Sequence, residues 1–523
     1  MGENTQHEIR NMFYDAASGL TLDFGGMISP PDADGAADML AAALADMRLL
    51  ESGAVANPDE GRMVGHYWLR APELAPNVEI AADIYKTTED VLAFAEAVKN
   101  GEIVGAGGRP FRNALVIGIG GSSLGPLFVS HALRPDCSGL RLYFIDNTDP
   151  DGMDAVFAEL LPQLAETMVI VISKSGGTIE TQNGLSEAKE FFAANRVNFY
   201  ANAVRITQQG SAFDTAADAG RWLAAFPMWD WVGGRTSVLS AVGLLPLALQ
   251  GVDCRRMLAG AADCDAMTRR DFAENPALQL ALAWYRISGG VGGTTMAVLP
   301  YKDRLELFSK YLQQLVMESL GKEYDLHGRR VQQGLAVLGN KGSSDQHSYV
   351  QQLVAGPDNV FVVFIEVLRD RVGDSPIVRL GSTSGDYLQA FLWGTAGALA
   401  DHGKNSLCIT VPEVSAYYIG MLIALFERAV GFYAGFVGIN AYHQPAVEFG
   451  KRTAGEIIEL KNRAVELLRR NAGQGYTVAG LADALDYADA ARLWHIMRHL
   501  AANDPCISCI GEHPQEMLFT YAE

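Results

Sequence analysis

Residues 113–133, NALVIGIGGSSLGPLFVSHAL, carry the reading on which the fold turns. An unbroken apolar run, Ala114–Ile117, gives way to a loop rich in glycine and serine, Gly118–Gly125, and an apolar helical pattern follows at once. A strand covered on both faces reads as continuous apolar residues, whereas a half-exposed strand alternates. Strand, loop and helix in this order form one half of a parallel α/β unit.

The same grammar continues outward. LRLYFID (140–146) and MVIVIS (168–173) are further strands, with helices near 152–161 and from Ile179. After a helical stretch at 256–289 a second series begins. TTMAVLPY, GLAVLG, VFVVFIEVL and SLCITVP alternate with helical patterns at 304–320, 345–354, 386–401 and 415–437. At 523 residues the chain exceeds one ordinary core. The predicted fold class is therefore α/β, with two tandem α/β sandwiches whose parallel-rich sheets are flanked by helices. Residues 1–110 read as a helical N-terminal segment, 111–290 as the first sandwich, 291–455 as the second and 456–523 as a helical tail.

Composition narrows the partners. A formal charge of −20 opposes nucleic acid, whose phosphates would be repelled. A small phosphorylated ligand remains possible, because a few local donors outweigh a distant surface charge. Six scattered cysteines suit reduced thiols, and Cys506 and Cys509 form a C-x-x-C pair without the second pair of a zinc site. The N-terminus shows no secretory pattern. The apolar stretch 416–437 carries Glu427 and Arg428 near its middle, which favours a core helix over a membrane span. A cytoplasmic protein without membrane or nucleic-acid partners is expected.

Ligands of parallel sheets sit at the carboxyl ends of strands, where helix N-termini aim N–H groups at anions. Gly118–Gly125 and the segment SKSGGTIET (173–181) both follow an apolar strand and open a helix, and both combine glycines with hydroxyls. A dinucleotide fingerprint fails, since Ser123 stands where its third glycine belongs, and a Walker loop fails at Pro126. Asp146 alone would support a nucleotide-dependent dehydrogenase. The two loops point to a phosphate group.

Six blocks, in order, resemble the glucose-6-phosphate isomerase family and its sugar-isomerase (SIS) fold: GIGGSSLGP (118–126), SKSGGTIET (173–181), WVGGRTSVLSAVGL (231–244), QQLVMESLGK (313–322), GSSDQHSYVQQL (342–353) and YHQPAVEFGK (442–451). The resemblance implies reversible isomerisation of glucose 6-phosphate and fructose 6-phosphate through a cis-enediol, with no metal and no cofactor. It assigns Gly121, Ser122, Ser173, Lys174, Ser175, Thr178, Gly234, Gln314 and Gln444 to substrate and phosphate. It makes Glu318 the base, Arg235 the charge stabiliser, His347 the ring-opening residue and Lys451 an active-site lysine. It also implies a homodimer in which His347 reaches the neighbouring subunit's site.

The chemistry agrees with those roles. One carboxylate can move a proton between C2 and C1. A fixed guanidinium stabilises the oxygens of the intermediate without titrating. A histidine can give and take a proton near neutrality, as ring opening requires. Gly177, Thr236, His443 and Ala446 depart from the family's usual residues and bear on fine specificity. A dual phosphoglucose/phosphomannose isomerase and a non-catalytic phosphosugar sensor are the rival readings. Retention of Glu318, Arg235, His347 and Lys451 together speaks against a sensor, which has no need of a base.

Overall fold

The computed structural model describes residues 12–25 and 35–522; the side chains of Pro135 and of residues 447–452 lie outside that description. The chain divides into two compact units, Met1–His443 and Gln444–Glu523.

The larger unit is built on two sheets. In the first, five parallel strands lie in the order Arg141–Ile145, Asn113–Ile117, Thr167–Ile172, Ala203–Gln208 and Ala224–Met228. Every residue of Asn113–Ile117 and Thr167–Ile172 is buried, which is what their unbroken apolar runs require. Numbered along the chain, the order is 2-1-3-4-5, a doubly wound sheet whose direction of growth reverses between Asn113–Ile117 and Thr167–Ile172. The loops leaving those two strands are the two glycine-rich segments. The winding therefore leaves a crevice where these two loops stand.

The second sheet repeats the winding. Leu335–Leu338, Thr294–Pro300, Val360–Val367 and Ser406–Val411 are parallel neighbours in that order. A hairpin from the chain's start, Met12–Tyr14 and Thr21–Asp23, closes its far edge by pairing antiparallel with Ser406–Val411. Residues read as a helical N-terminal segment thus supply two strands. Each is three residues long, too short for periodicity to reveal, and the pairing partner lies almost four hundred residues away.

One continuous apolar core reaches both sheets, from Ala114 and Met168 to Val298 and Phe361. At its centre the helix Ala416–Phe436 is long and apolar enough to cross a membrane, yet 83% of its apolar window is buried among neighbouring helices. Its Glu427 and Arg428 enter a buried ion cluster. Asp265 accepts two hydrogen bonds from Arg70 at 2.8 and 2.9 Å and two from Arg428 at 2.8 and 2.9 Å. Arg70 also meets Glu427, and Arg428 meets Glu51. Removing one member of such a cluster costs about 3–5 kcal/mol, because a buried charge is left uncompensated. The cluster ties residues 51–70 to two central helices, which gives this early part of the chain a structural role.

The smaller unit corrects the helical tail expected from 456. Its helix Pro445–Arg470 is followed by a short strand, Tyr476–Thr477, the helices Val478–Leu485 and Ala490–Asn503, and the strands Ile507–Ile510 and Leu518–Tyr521. The three strands form an antiparallel sheet with Leu518–Tyr521 central. Strands of two to four residues leave no alternation to read, and their core is assembled from distant pieces: Leu460, Leu468, Leu481, Leu493, Met497 and Phe519. Cys509 is partly buried against that core, and Cys506 and Cys509 are free thiols.

Candidate active site

The first loop turns tightly after its strand. Gly120 adopts φ +59°, a left-handed conformation that favours glycine. At Gly121 a Cβ would lie 1.9 Å from the carbonyl oxygen of Gly234, so two backbones touch here and only glycine fits. Ser237 Oγ secures the contact by donating to the Gly234 carbonyl at 2.7 Å and to that of Gly121 at 3.4 Å. Gly121, Ser122 and Gly234 thereby share one wall with Arg235.

The second loop is braced by its own hydroxyls. Gly176 N–H donates to Ser173 Oγ and Gly177 N–H to Ser175 Oγ, each at 3.1 Å. Thr178 stands at the N-cap of the helix Ile179–Ala194, whose first-turn N–H groups lack intrahelical acceptors. Around Gly177 the loop presents three hydroxyls, those of Ser173, Ser175 and Thr178, and this helix end. Lys174 points elsewhere: its Nζ donates to the carbonyls of Asp230 and Val232, both at 2.9 Å. Burial pulls its pKa down to about 8. The lysine laces this loop to the segment that leads into Arg235.

The third element comes from the second sheet. The helix starting at Phe308 loosens into a π-turn over Gln313–Glu318, a form frequent at functional sites. Gln314 lies against Gly120, where a Cβ would be 3.1 Å from its Nε2. At the close of the π-turn, Glu318 Oε1 stands 3.8 Å from Arg235 Nη1. That separation gives Coulomb attraction without a hydrogen bond. The Arg235 side chain is 4% exposed and that of Glu318 23%. Burial lowers the guanidinium's pKa, opposed by the charges of Glu318 and Glu60. Arg235 Nη2 also donates to the His443 carbonyl at 3.3 Å. Thr236 is buried and donates to the Gly233 carbonyl at 3.2 Å.

Residues 57–66, NPDEGRMVGH, stand outside the six blocks yet adjoin this site. Asn57 Nδ2 donates to the Tyr442 carbonyl at 3.3 Å, and Asn440 Nδ2 to Asp59 at 2.6 Å. Asp59 Oδ2 lies 3.5 Å from His443 Nε2. Burial lowers the pKa of His443, against the pull of Asp59, and burial lowers that of His66 further. A charged DEGR run (59–62) three residues before buried His66, Tyr67 and Trp68 is the signal that could have found them.

One expected residue, His347, is not drawn into this group. His347 is exposed on the short turn Ser344–His347, whose Gln346 bonds to Tyr301 and Phe391. Gln444 opens the smaller unit. The side chain of Lys451 lies outside the described residues. Among the described residues no three His, Cys, Asp or Glu side chains cluster in a way that could hold a metal ion.

Residues 40–390 match the model of the phosphoglucose isomerase family. A glucose-6-phosphate isomerase of Desulfitobacterium hafniense (strain Y51) is 55% identical over 495 residues, 94% of this chain and 93% of that protein. The enzyme of the same name from Synechococcus elongatus (strain ATCC 33912 / PCC 7942 / FACHB-805) is 55% identical over 472 residues, 90% and 89% of the two chains. The crystal structure of a glucose-6-phosphate isomerase from Chlamydia trachomatis D/UW-3/Cx superposes with a TM-score of 0.78 at 27% identity, covering 88% of this chain and 91% of that one. The family match runs through both loops, the Arg235 turn and the Glu318 helix, and the chain belongs to the phosphoglucose isomerase family.

Proposed function

We propose that this chain interconverts glucose 6-phosphate and fructose 6-phosphate by ring opening and proton transfer through a cis-enediol intermediate. The observation that carries the mechanism is the meeting of Glu318 and Arg235 at 3.8 Å beside the Gly120–Gly121 turn. A carboxylate held near, but not locked to, a buried guanidinium is free to accept a proton. The guanidinium keeps its charge for the oxygens of the intermediate.

Phosphate binds the loop Ser173–Thr178 and the helix end behind it, with Ser122 from the neighbouring loop. Gly121, Gly234 and Gln314, with Gln444, hold the sugar. Ring opening transfers a proton to the ring oxygen and removes one from the anomeric hydroxyl, with His347 and Lys451 in those roles. Glu318 then takes the proton from C2 and returns it to C1, while Arg235 stabilises the charge on the oxygens. Every step is proton transfer, so no redox cofactor takes part, and none needs a metal ion.

The enzyme works as a cytoplasmic homodimer, His347 of the partner subunit completing each site. Two features support this. His347 is exposed, and the segment 368–380 carries the exposed apolar residues Leu368, Val372, Ile377, Val378 and Leu380, a surface suited to a second copy. Sedimentation of an active monomer at working concentration would remove the dimer.

The decisive assay supplies fructose 6-phosphate in EDTA and couples glucose 6-phosphate formation to NADP reduction. Wild type is expected to be active, and Glu318→Gln to lose at least about 10³-fold in kcat, as removal of an essential acid–base group does. Full activity in the variant would displace Glu318 as the base. A folded wild type that binds substrate without turnover would make the chain a sensor.

A further inference from the structure

Lys322, the last residue of QQLVMESLGK, has no part in the mechanism above, yet its side chain is built into the same site. It opens the short strand Lys322–Tyr324 immediately beyond the Glu318 helix and is 6% exposed. Instead of extending to solvent, the side chain folds back. Its Nζ donates to the main-chain carbonyls of Glu318 and Ser319, both at 2.8 Å. The last carbonyls of a helix have no partner within it, and here two of them converge on one buried nitrogen. One of the two belongs to Glu318 itself.

The charges facing that nitrogen come from four parts of the unit: Glu318 on its own helix, Arg235 on the neighbouring turn, and Asp59 and His443 from the segments that flank it. We propose that Lys322 is a positioning residue for Glu318, fixing the end of the π-turn so that the carboxylate stands beside Arg235 without bonding to it. The proposal rests on Glu318 being the base. Burial, with Arg235 adding to it, lowers the Lys322 pKa to about 7. Neutral or charged, the amine retains hydrogens enough for both carbonyls, so the clamp persists across neutral pH. Its charge does not, and the charge is felt by Glu318.

The test compares Lys322→Met, Lys322→Arg and Glu318→Gln, with melting curves as the check on folding. Lys322→Met is expected to lower kcat by about 10²-fold, the scale of a displacement near 1 Å, with KM within about threefold because the phosphate loops are untouched. The acidic limb of its pH–rate profile is expected to move to higher pH, as a carboxylate losing a nearby cation would produce. Lys322→Arg keeps the cation and donors, and it should hold that limb at the wild-type position and recover part of kcat. In the double variant with Glu318→Gln, removing Lys322 should cost nothing more, since its effect passes through Glu318. Wild-type kcat in Lys322→Met, a loss confined to KM, or an additive loss in the double variant would each overturn the proposal. If Lys322→Met does not fold, an Arg variant with the Met-like pH shift expected above would overturn it equally. Full activity in Glu318→Gln would instead remove the reading on which it rests.

Discussion

At the carboxyl end of the first sheet, Asn113–Ile117 and Thr167–Ile172 run into loops of glycine and serine. At the corresponding point of the second sheet, Thr294–Pro300 and Val360–Val367 run into Tyr301-Lys302-Asp303-Arg304 and Leu368-Arg369-Asp370-Arg371. The winding is the same, but the crevices differ. Lys302 Nζ crosses the second one, donating to the Arg369 carbonyl at 2.8 Å and to that of Asp370. The Asp370 carboxylate then occupies the space above Gly385, at the start of the helix Ser384–Asp401, where a Cβ would be 1.8 Å from its Oδ2. Doubly wound topology offers a place for an anion in both sheets. Side-chain length decides which place stays open. Glycines and hydroxyls leave the first to a ligand, while a lysine and an aspartate fill the second.

Three substitutions sharpen the contrast. The largest effect is expected from Gly121→Ala, which forces a methyl into the Gly234 backbone and displaces the Arg235 turn. Overpacking of this kind costs about 1–3 kcal/mol in stability, and kcat should fall on the order of 10²-fold. Steady-state kinetics beside a melting curve separates the two losses; unchanged kcat would mean that the turn does not set the position of Arg235.

Lys174→Met is smaller. It unlaces the phosphate loop from Asp230 and Val232, and KM for the phosphosugar should rise about five- to tenfold, equivalent to roughly one hydrogen bond. The variant also has a pH signature. Lys174 titrates near 8 in the folded chain and near 10.5 when unfolded, so between those values the unfolded state binds the extra proton. Stability therefore rises with pH across that window, and the cost of burying the charge is complete once pH falls below 8. Denaturant titrations at pH 8 and 10 should show a smaller gain in stability in the variant than in wild type. Least of all, Lys302→Met in the filled crevice should leave kcat/KM within about twofold and lower the melting temperature by about 1–2 °C. Loss of activity there would mean that the second crevice takes part in catalysis.

The contrast also explains what could be read from the chain. Gly118–Gly125 and Ser173–Thr178 are local patterns, each following a buried strand, so their place at the carboxyl ends of parallel strands was legible, whereas the strand order that makes it a switch point was not. Glu318 and Arg235 were legible only through their motifs, because nothing local says that residues 83 positions apart will meet. The direction of the Lys174 side chain was not legible, since its acceptors are backbone carbonyls at 230 and 232. Residues 57–66 did not stand out because their partners, Asn440 and Tyr442, lie almost four hundred positions away in the sequence. The hairpin at 12–23 and the three-stranded sheet after 475 failed for the same reason. Short strands acquire their identity from a distant neighbour, and a window of sequence does not contain the neighbour.

The N-terminal hairpin has a consequence for how the chain is made. Leu22 leaves the ribosome 387 residues before its partner Ile409. At ordinary rates of elongation the wait is on the order of 20–80 s. Throughout it Phe13, Leu20 and Leu22, all buried in the finished protein, have no sheet to join. Arg70 waits almost as long for Glu427. The second sheet and the ion cluster are thus sealed by residues made long before their partners, and a chaperone that shelters the hairpin and Arg70 until Ile409 and Glu427 have been made would protect both.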